Sequence, residues 1–310
     1  MWVLLITNRQ DISADWVVRE LSGRSVPCLR LNTEDLPRGT VSWWVDDGRC
    51  RVITEANRAI WLHEVSSIWY RRPGRPYGDD VNPMSEAAVL NNQWRAFLDA
   101  FMTNRRIHWV NHPVRNSIAE SKLYQLTKAK QSGFVVPRTI VTNSKSEAAQ
   151  FVRQVNNKAI IKALDAPVLN LGGEEAFVFT SLFRDEYLTD DNGIRAAPVI
   201  IQEHIEPKRD IRVTVVGERI FAAATVTTSV LDWRAERDPV LFEPYELPVA
   251  VTNQCIELVA SFGLRFGAID LLEHSDGWLF LELNPNGEWG WLQSTGFDIA
   301  GALADELALA

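Results

Sequence analysis

Near the end of the chain, Asp270, Glu282 and Asn284 fall in a pattern that could hold a hard cation. The segment around them has the form of a hairpin, Phe266–Glu273 and Trp278–Asn284, joined by Ser275-Asp276-Gly277. A three-residue turn with glycine where positive φ is wanted suits such a pair. Centring that turn on Asp276 sets Asp270 opposite Glu282. Alternation along the strands then brings Asp270, Glu282 and Asn284 to one face, with Ile269, Leu271, Leu281 and Leu283 on the other. Carboxylates directly opposite each other repel, and a divalent cation removes that penalty. Three hard oxygen donors suit magnesium or manganese. The competing interpretation is a solvated polar strand face. The complete oxygen set, and the Pro285-Asn286-Gly287 turn that follows at once, favour the cation.

Other polar positions leave alternatives open. Lys162 ends the apolar run Ala159-Ile160-Ile161 and could extend to solvent or meet phosphate oxygens. Asp210, Arg212 and Thr214 alternate with Ile211, Val213 and Val215. That is either the exposed face of a half-buried sheet or a site where Arg212 meets developing phosphoryl or acyl-phosphate charge. Asp232-Trp233-Arg234 offers a second arginine. Gly172-Gly173 could close over phosphates with backbone N–H groups or be a plain turn. Trp289 and Trp291 suit core at a lobe junction better than ligand stacking. The sequence has neither a P-loop nor a G-x-G-x-x-G, so a nucleotide site must be of another kind. HExxH and G-x-S-x-G are also absent, which leaves protease and hydrolase chemistry without support.

The elements that must position these groups fall into three lobes. The first, 1–109, opens with strand Trp2–Thr7 and a helix over Ile12–Leu21. Strands follow at Val26–Leu31, Thr40–Val45, Cys50–Thr54 and Ser67–Tyr70. A helix over Glu86–Asn104 sets Leu90, Trp94, Phe97, Leu98 and Phe101 on one face. The second lobe, 110–197, has a helix over Asn116–Ser132 stopped by Gly133, a capping box at Ser144 and Glu147, and strands at Ala159–Leu164 and Ala176–Thr180. The third, 198–310, has strand Val199–Ile205 and a hairpin Asp210–Val216 and Arg219–Thr225, turned across Gly217-Glu218 in II′ fashion. A helix Asn253–Phe262, stopped at Gly263, precedes the final hairpin. Strands and helices without strict βαβ alternation favour a mixed α/β, α+β-like fold.

Composition narrows the function classes. A net charge of −8 over 310 residues argues against a broad nucleic-acid surface. Cys28, Cys50 and Cys255 are scattered and form no CxxC, so a reducing cytoplasm is the simplest setting. The opening MWVLLITNRQD has only a short apolar run and is a first strand, and no stretch approaches a membrane span.

The order of these features resembles the ATP-grasp superfamily: Lys122, Lys162, the hinge Gln202-Glu203-His204-Ile205, Asp210-Ile211-Arg212, then Asp270 and Glu282-x-Asn284. Several phrases are similar to the microviridin-type, or graspetide, ligases that macrocyclise ribosomal peptides. They are WYRRP at 69–73, SKLYQL followed by GFVVPRT, QEHIEPKRDIRVTVVGERIFAA at 202–223, DWR at 232–234 and ELNPNGEWGW at 282–291. The resemblance implies a pre-grasp lobe, a central lobe and a C-terminal lobe, with ATP between the last two. It implies that Lys122 and Lys162 contact phosphates, that Gln202, Glu203, His204 and Ile205 form the adenine hinge, and that Asp210 meets the ribose. Asp270, Glu282 and Asn284 would hold magnesium, two ions with Glu282 bridging, or manganese in its place. Arg212 and Arg234 would meet the transferred phosphoryl group. The implied partner is a ribosomal precursor peptide with a leader and an acidic core, with no nucleic acid or membrane, and a homodimer is compatible with the family. Two alternatives stay open: an amino-acid ligase of the ribosomal-protein-modifying type, and a non-catalytic peptide-binding or nucleotide-sensing module.

Overall fold

A computed structural model describes residues 1–78, 82–104, 106–165, 168–171, 174–177, 179–189, 193–226, 231, 240–275 and 277–309. The first part of the chain runs β1 (Trp2–Thr7), α1 (Ile12–Gly23), β2 (Cys28–Asn32), β3 (Thr40–Trp44), β4 (Arg49–Ile53), β5 (Ala59–Trp61), β6 (Val65–Tyr70), α2 (Glu86–Asp99) and β7 (His108–Val110). Strands β2-β1-β6-β7 form a parallel sheet, and β3-β4-β5 form a separate antiparallel one. The helix expected to reach Asn104 stops at Asp99 and tightens into a 3₁₀ turn over Ala100–Thr103, which still buries Leu98 and Phe101.

The middle part runs α3 (Pro113–Ala119), α4 (Lys122–Gln131), β8 (Thr139–Thr142), α5 (Lys145–Gln154), β9 (Ala159–Lys162), β10 (Val168–Leu171), β11 (Glu174–Phe177), β12 (Ser181–Leu182), α6 (Glu186–Thr189), α7 (Gly193–Ala196) and β13 (Val199–Glu203). Strands β12-β9-β13-β8 form an antiparallel sheet, and β10 pairs with β11. Ser144 caps α5, its hydroxyl accepting from Glu147 N.

The last part runs β14 (Arg209–Val216), β15 (Arg219–Thr225), β16 (Phe242–Pro244), α8 (Val249–Ser261), β17 (Phe266–His274), β18 (Gly277–Asn284) and α9 (Ile299–Ala308). Its antiparallel sheet has the order β16-β15-β14-β17-β18. Gly217 turns β14 into β15 at φ +59°, a conformation that glycine adopts without strain.

Hydrophobic cores cross the expected lobe boundaries. Val3, Leu5, Val17 and Leu21 of the first lobe share one buried cluster with Phe266, Trp289, Leu292, Ile299 and Leu303 of the last. Trp289 is fully buried there, 5.7 Å from the Trp16 ring, so its role is packing. A second cluster joins Ala119, Ala129 and Phe134 to Ile211, Val213, Leu258, Phe280 and Leu283 under the C-terminal sheet.

Candidate active site

The site lies in a cleft of about 270 Å³ between the β12-β9-β13-β8 sheet and the C-terminal sheet. Lys122, Lys162, Gln202, Glu203, His204, Ile205, Asp210, Arg212, Asp270, Glu282 and Asn284 all line it. Arg234 and the Gly172-Gly173 pair lie outside the described residues.

The C-terminal sheet sets Arg212, Asp270 and Glu282 in one row, because Arg212 on β14 pairs with Asp270 on β17, which pairs with Glu282 on β18. Arg212 Nη1 is 3.2 Å from Asp270 Oδ1, and both residues are buried. Asn284 Nδ2 donates to Glu282 Oε1 at 3.2 Å. Ile211, Val213 and Val215, on the opposite face of β14, fill the core, while Asp210 and Arg212 line the cleft. Thr214 shares their face but is fully buried below the cleft.

The expected carboxylate pair forms by a route other than the expected turn. His274 pairs with Gly277, one step out of the three-residue register, and Asp276 lies outside the described residues. The register then shifts between Asp270 and Leu271, leaving Leu281 as the extra residue on β18. A β-bulge of this kind re-aims side chains. Phe280 therefore takes the core position expected for Leu281, and Leu281 lines the cleft beside Glu282.

Lys162 comes from the opposite wall, on β9. Lys162 Nζ donates to Gln202 Oε1 at 2.8 Å, and Gln202 Nε2 donates to Thr139 Oγ1 at 2.8 Å, so a buried glutamine relays β8 to the lysine. Lys122 reaches the cleft because the single helix expected over Asn116–Ser132 is broken. Ser121 is extended and starts a new helix, which places Lys122 in its first turn, with Nζ donating to Ala163 O at 3.1 Å. The N–H groups of Glu203 and His204 donate to the carbonyls of Arg138 and Lys158. Ile205, next along the chain, lines the cleft. Burial lowers the His204 imidazole below its ordinary value, with Lys208 and Lys158 adding to that and Glu206 opposing it.

Two residues outside the expected set belong to the site. Lys208 is buried, lines the cleft and donates to Asp210 Oδ2 at 2.6 Å. The signal for it is period two, since Lys208, Asp210 and Arg212 alternate along one strand face. Gln125 is buried beneath α4. Its amide donates to Ala119 O and Leu283 O, and its oxygen accepts from Leu283 N, which ties the helix carrying Lys122 to the strand carrying Glu282.

A groove of about 1120 Å³ opens from the wall of the cleft that carries Lys122, Arg212 and Glu282. Lys122, Asp165, Arg212, Glu282 and Asn284 line both spaces. The groove continues past Asn286, Gly287 and Glu288 to Arg72 and Arg95 of the first lobe. Gly287 is required where the Pro285-Asn286-Gly287 turn folds back, because a Cβ there would sit 2.4 Å from Ala268 Cβ.

The oxygen set fits a magnesium ion bound partly by its ligand. Among the described residues no cluster of three His, Cys, Asp or Glu side chains is placed to hold a metal alone. Two carboxylates and an amide would hold an ion that also takes phosphate oxygens and water, the usual habit of magnesium. Among the described residues no helix is long and apolar enough to cross a membrane.

A mixed fold with one lysine on a sheet and another at a helix start, carboxylates on a second sheet and a cleft between them defines an ATP-grasp ligase. The model of the RimK-like ATP-grasp domain matches residues 119–307, and that of the MvdD pre-ATP grasp domain matches residues 2–116, so the chain belongs to the RimK-like ATP-grasp family. Among solved structures it is similar to the macrocyclase MdnC of Microcystis aeruginosa MRC bound with precursor peptide MdnA. The TM-score is 0.88 and the identity 28%, covering 100% of this chain and 99% of that one. It shares its fold with a RiPP-associated ATP-grasp ligase of Chryseobacterium gregarium in complex with ADP and a leader and core peptide, at TM-score 0.84 and 23% identity over 99% of this chain and 96% of that one. Among curated proteins it is similar to a probable alpha-L-glutamate ligase of Legionella pneumophila, 24% identical over 245 residues, 74% of this chain and 76% of that protein.

Proposed function

We propose that this protein is an ATP- and magnesium-dependent macrocyclase of a ribosomally made peptide with a leader and an acidic core, joining side chains through ester or amide bonds. The observation that carries this reading is the groove of about 1120 Å³ that opens on the phosphate side of the nucleotide cleft, a space suited to a peptide as well as an amino acid. The full-length similarity to a macrocyclase bound with its precursor supports it, where the glutamate-ligase relative matches about three-quarters of the chain.

In this reading the lobes are residues 1–109, 110–197 and 198–310. The hinge at Glu203 and Ile205 takes the adenine, with Gln202 and His204 beside it, and Asp210 takes the ribose. Lys122 and Lys162 hold phosphate oxygens. Asp270, Glu282 and Asn284 would hold magnesium, as one ion or two, and a bound ion neutralises charge on the transferring phosphoryl group. Arg212, and Arg234 from outside the described residues, serve the acyl-phosphate end.

Two steps then balance. A peptide carboxylate oxygen attacks the γ-phosphorus in line, the bond to the β-phosphate oxygen breaks, and ADP leaves. A hydroxyl or amine of the same peptide attacks the acyl carbon, the carbon–oxygen bond to phosphate breaks, and the proton of the attacking group passes to the departing phosphate. Holding both groups on one peptide supplies proximity. The reaction is placed in the cytoplasm, without nucleic acid or membrane, and the enzyme acts alone or as a homodimer.

The test is to combine the protein, ATP, magnesium and the short acidic peptide encoded beside its gene, and to follow peptide mass. Loss of one water per ring is expected. ADP release with the peptide mass unchanged would sink the proposal, and a gain of one amino acid would establish the ligase alternative.

A further inference from the structure

The groove does not end at Arg72 and Arg95. It continues, through Tyr70, Pro73 and Arg95, into a separate pocket of about 370 Å³ inside the first lobe. One face of α2 builds this pocket, because Asn91, Trp94, Arg95 and Leu98 stand three and four residues apart along the helix. The opposite wall is a proline-rich loop held in place. Tyr77 N donates to Asn91 Oδ1, Asn91 Nδ2 donates to Gly78 O, and Thr33 Oγ1 donates to Gly74 O, at 3.0, 3.0 and 2.7 Å. Pro73 and Pro76 stiffen the same wall. The result is a preformed pocket of mixed character, in which Tyr70, Trp94 and Leu98 give an apolar side, Thr33 and Asn92 a polar one, and Arg75 and Arg95 the charge.

Arg72, which lines the groove only, and Arg95, which lines both groove and pocket, are in different situations. Arg72 Nη1 is 3.1 Å from Glu288 Oε2, and its Nε donates to Asn286 O at 3.0 Å, so its charge is committed to the C-terminal lobe. Arg95 makes no hydrogen bond or ion pair among the described residues. Its nearest electrostatic neighbours include the Tyr70 hydroxyl, which burial pushes up, with Asp99 adding to that and Arg95 opposing it. Arg95 is exposed, while Trp94 and Tyr70 beside it are half-buried. A planar guanidinium over an aromatic-lined pocket matches a carboxylate next to an apolar side chain.

We infer that the pocket of Tyr70, Trp94 and Leu98, with Arg95 at its mouth, is a second anchor point for the peptide substrate, taking an apolar side chain and the carboxylate of a neighbouring, non-reacting Asp or Glu. This rests on the peptide reading of the groove. Its function would be register: fixing a point distant from the phosphoryl-transfer end sets which carboxylate reaches that end.

Equilibrium binding of the labelled acidic precursor peptide, read by fluorescence anisotropy, tests the site, while water loss from the peptide is followed separately. R95A and W94A should each raise the peptide Kd about tenfold with ATP affinity unchanged, and R95A, at an exposed position, should also leave the thermal midpoint unchanged, whereas W94A lowers it because Trp94 packs on the core beside Phe97. Neutralising the peptide's acidic residues one at a time should reveal one Asp→Asn or Glu→Gln change that weakens binding to the wild type but adds nothing in R95A. A peptide Kd that both protein variants leave unchanged overturns the inference. So does a set of peptide changes whose effects all multiply with R95A. A peptide that binds in this Arg95-dependent way and never loses water overturns the macrocyclase reading while supporting the anchor site.

Discussion

Arg71 Nη2 lies 2.7 Å from Glu288 Oε2, and through this contact the WYRRP segment of the first lobe grips the ELNPNGEWGW segment of the last. Arg71 is 1% exposed, and its Nε is also 3.1 Å from Asp11 Oδ2 while Nη1 donates to Gly287 O. Asp11 accepts from Thr7 Oγ1, and Glu288 accepts from Ser13 Oγ. Arg71→Ala leaves the buried Asp11 carboxylate without its countercharge, a loss of about 3–5 kcal/mol. The urea midpoint should fall accordingly, and Arg71→Lys should not restore it, since an ammonium cannot reproduce the fork. A midpoint within error of the wild type would show that the contact is dispensable.

Asp270 and Glu282 face each other across β17 and β18 with Arg212 at one end of the row. Removing one carboxylate relieves like-charge repulsion in the free protein and deprives a cation of a ligand. Glu282→Gln is therefore expected to keep or raise the thermal midpoint without ligand, to lose the increase given by magnesium and ATP together, and to abolish ADP formation. Differential scanning fluorimetry with and without both ligands checks it. A ligand-induced increase equal to that of the wild type would remove Glu282 from the cation site.

Local alternation carried most of the site. It put Asp210 and Arg212 on one face of β14 and Asp270 with Glu282 and Asn284 on the neighbouring strands, because strand periodicity is fixed by the backbone. The hairpin turn was not legible to one residue. The pairing of Asp270 with Glu282 holds only because the bulge at Leu281 offsets a shorter turn, and bulges leave little trace in residue type. The break before Lys122 was hidden for a similar reason, since the chain on both sides of it favours helix. The lobe junction was out of reach altogether. Arg71 and Glu288 are 217 residues apart, and nothing local to either marks the other.

Glu306 gives the fold a defined acid sensitivity. Burial pushes its carboxyl up, but hydrogen bonds from His108 and Arg265 outweigh that and hold it at about 2, below the ordinary 4.5. The distances are 3.0 Å to His108 Nε2 and 2.6 Å to Arg265 Nε, linking α9 to β7 and to the start of β17. A carboxylate whose folded pKa is depressed adds stability that is fully present above about 4.5 and is lost as pH falls toward 2. The contribution is about 2 kcal/mol after solvent screening. Glu306→Gln should lower the urea midpoint at pH 7 and flatten its decline between pH 4.5 and 2. A variant that loses stability across that window as steeply as the wild type would assign the acid sensitivity elsewhere.

Lys208 and Asp210 should act on the nucleotide as one unit. The Lys208 side chain is 6% exposed and its ammonium is 2.6 Å from the Asp210 carboxylate, and the backbone N–H of Asp210 donates to Thr225 Oγ1 at 3.2 Å. If Asp210 takes the ribose as proposed, its carboxylate must be held in one rotamer, and Lys208 is a group placed to help hold it. Lys208→Ala is expected to raise the KM for ATP about tenfold, as loss of one charge-assisted hydrogen bond would, with the KM for peptide unchanged. Asp210→Ala should raise it at least as much. The double variant should be no worse than Asp210→Ala alone, because removing Asp210 leaves Lys208 nothing to position. ADP release measured across ATP concentrations for the four proteins reads this directly. Effects that simply multiply in the double variant would mean that Lys208 meets the nucleotide independently of Asp210.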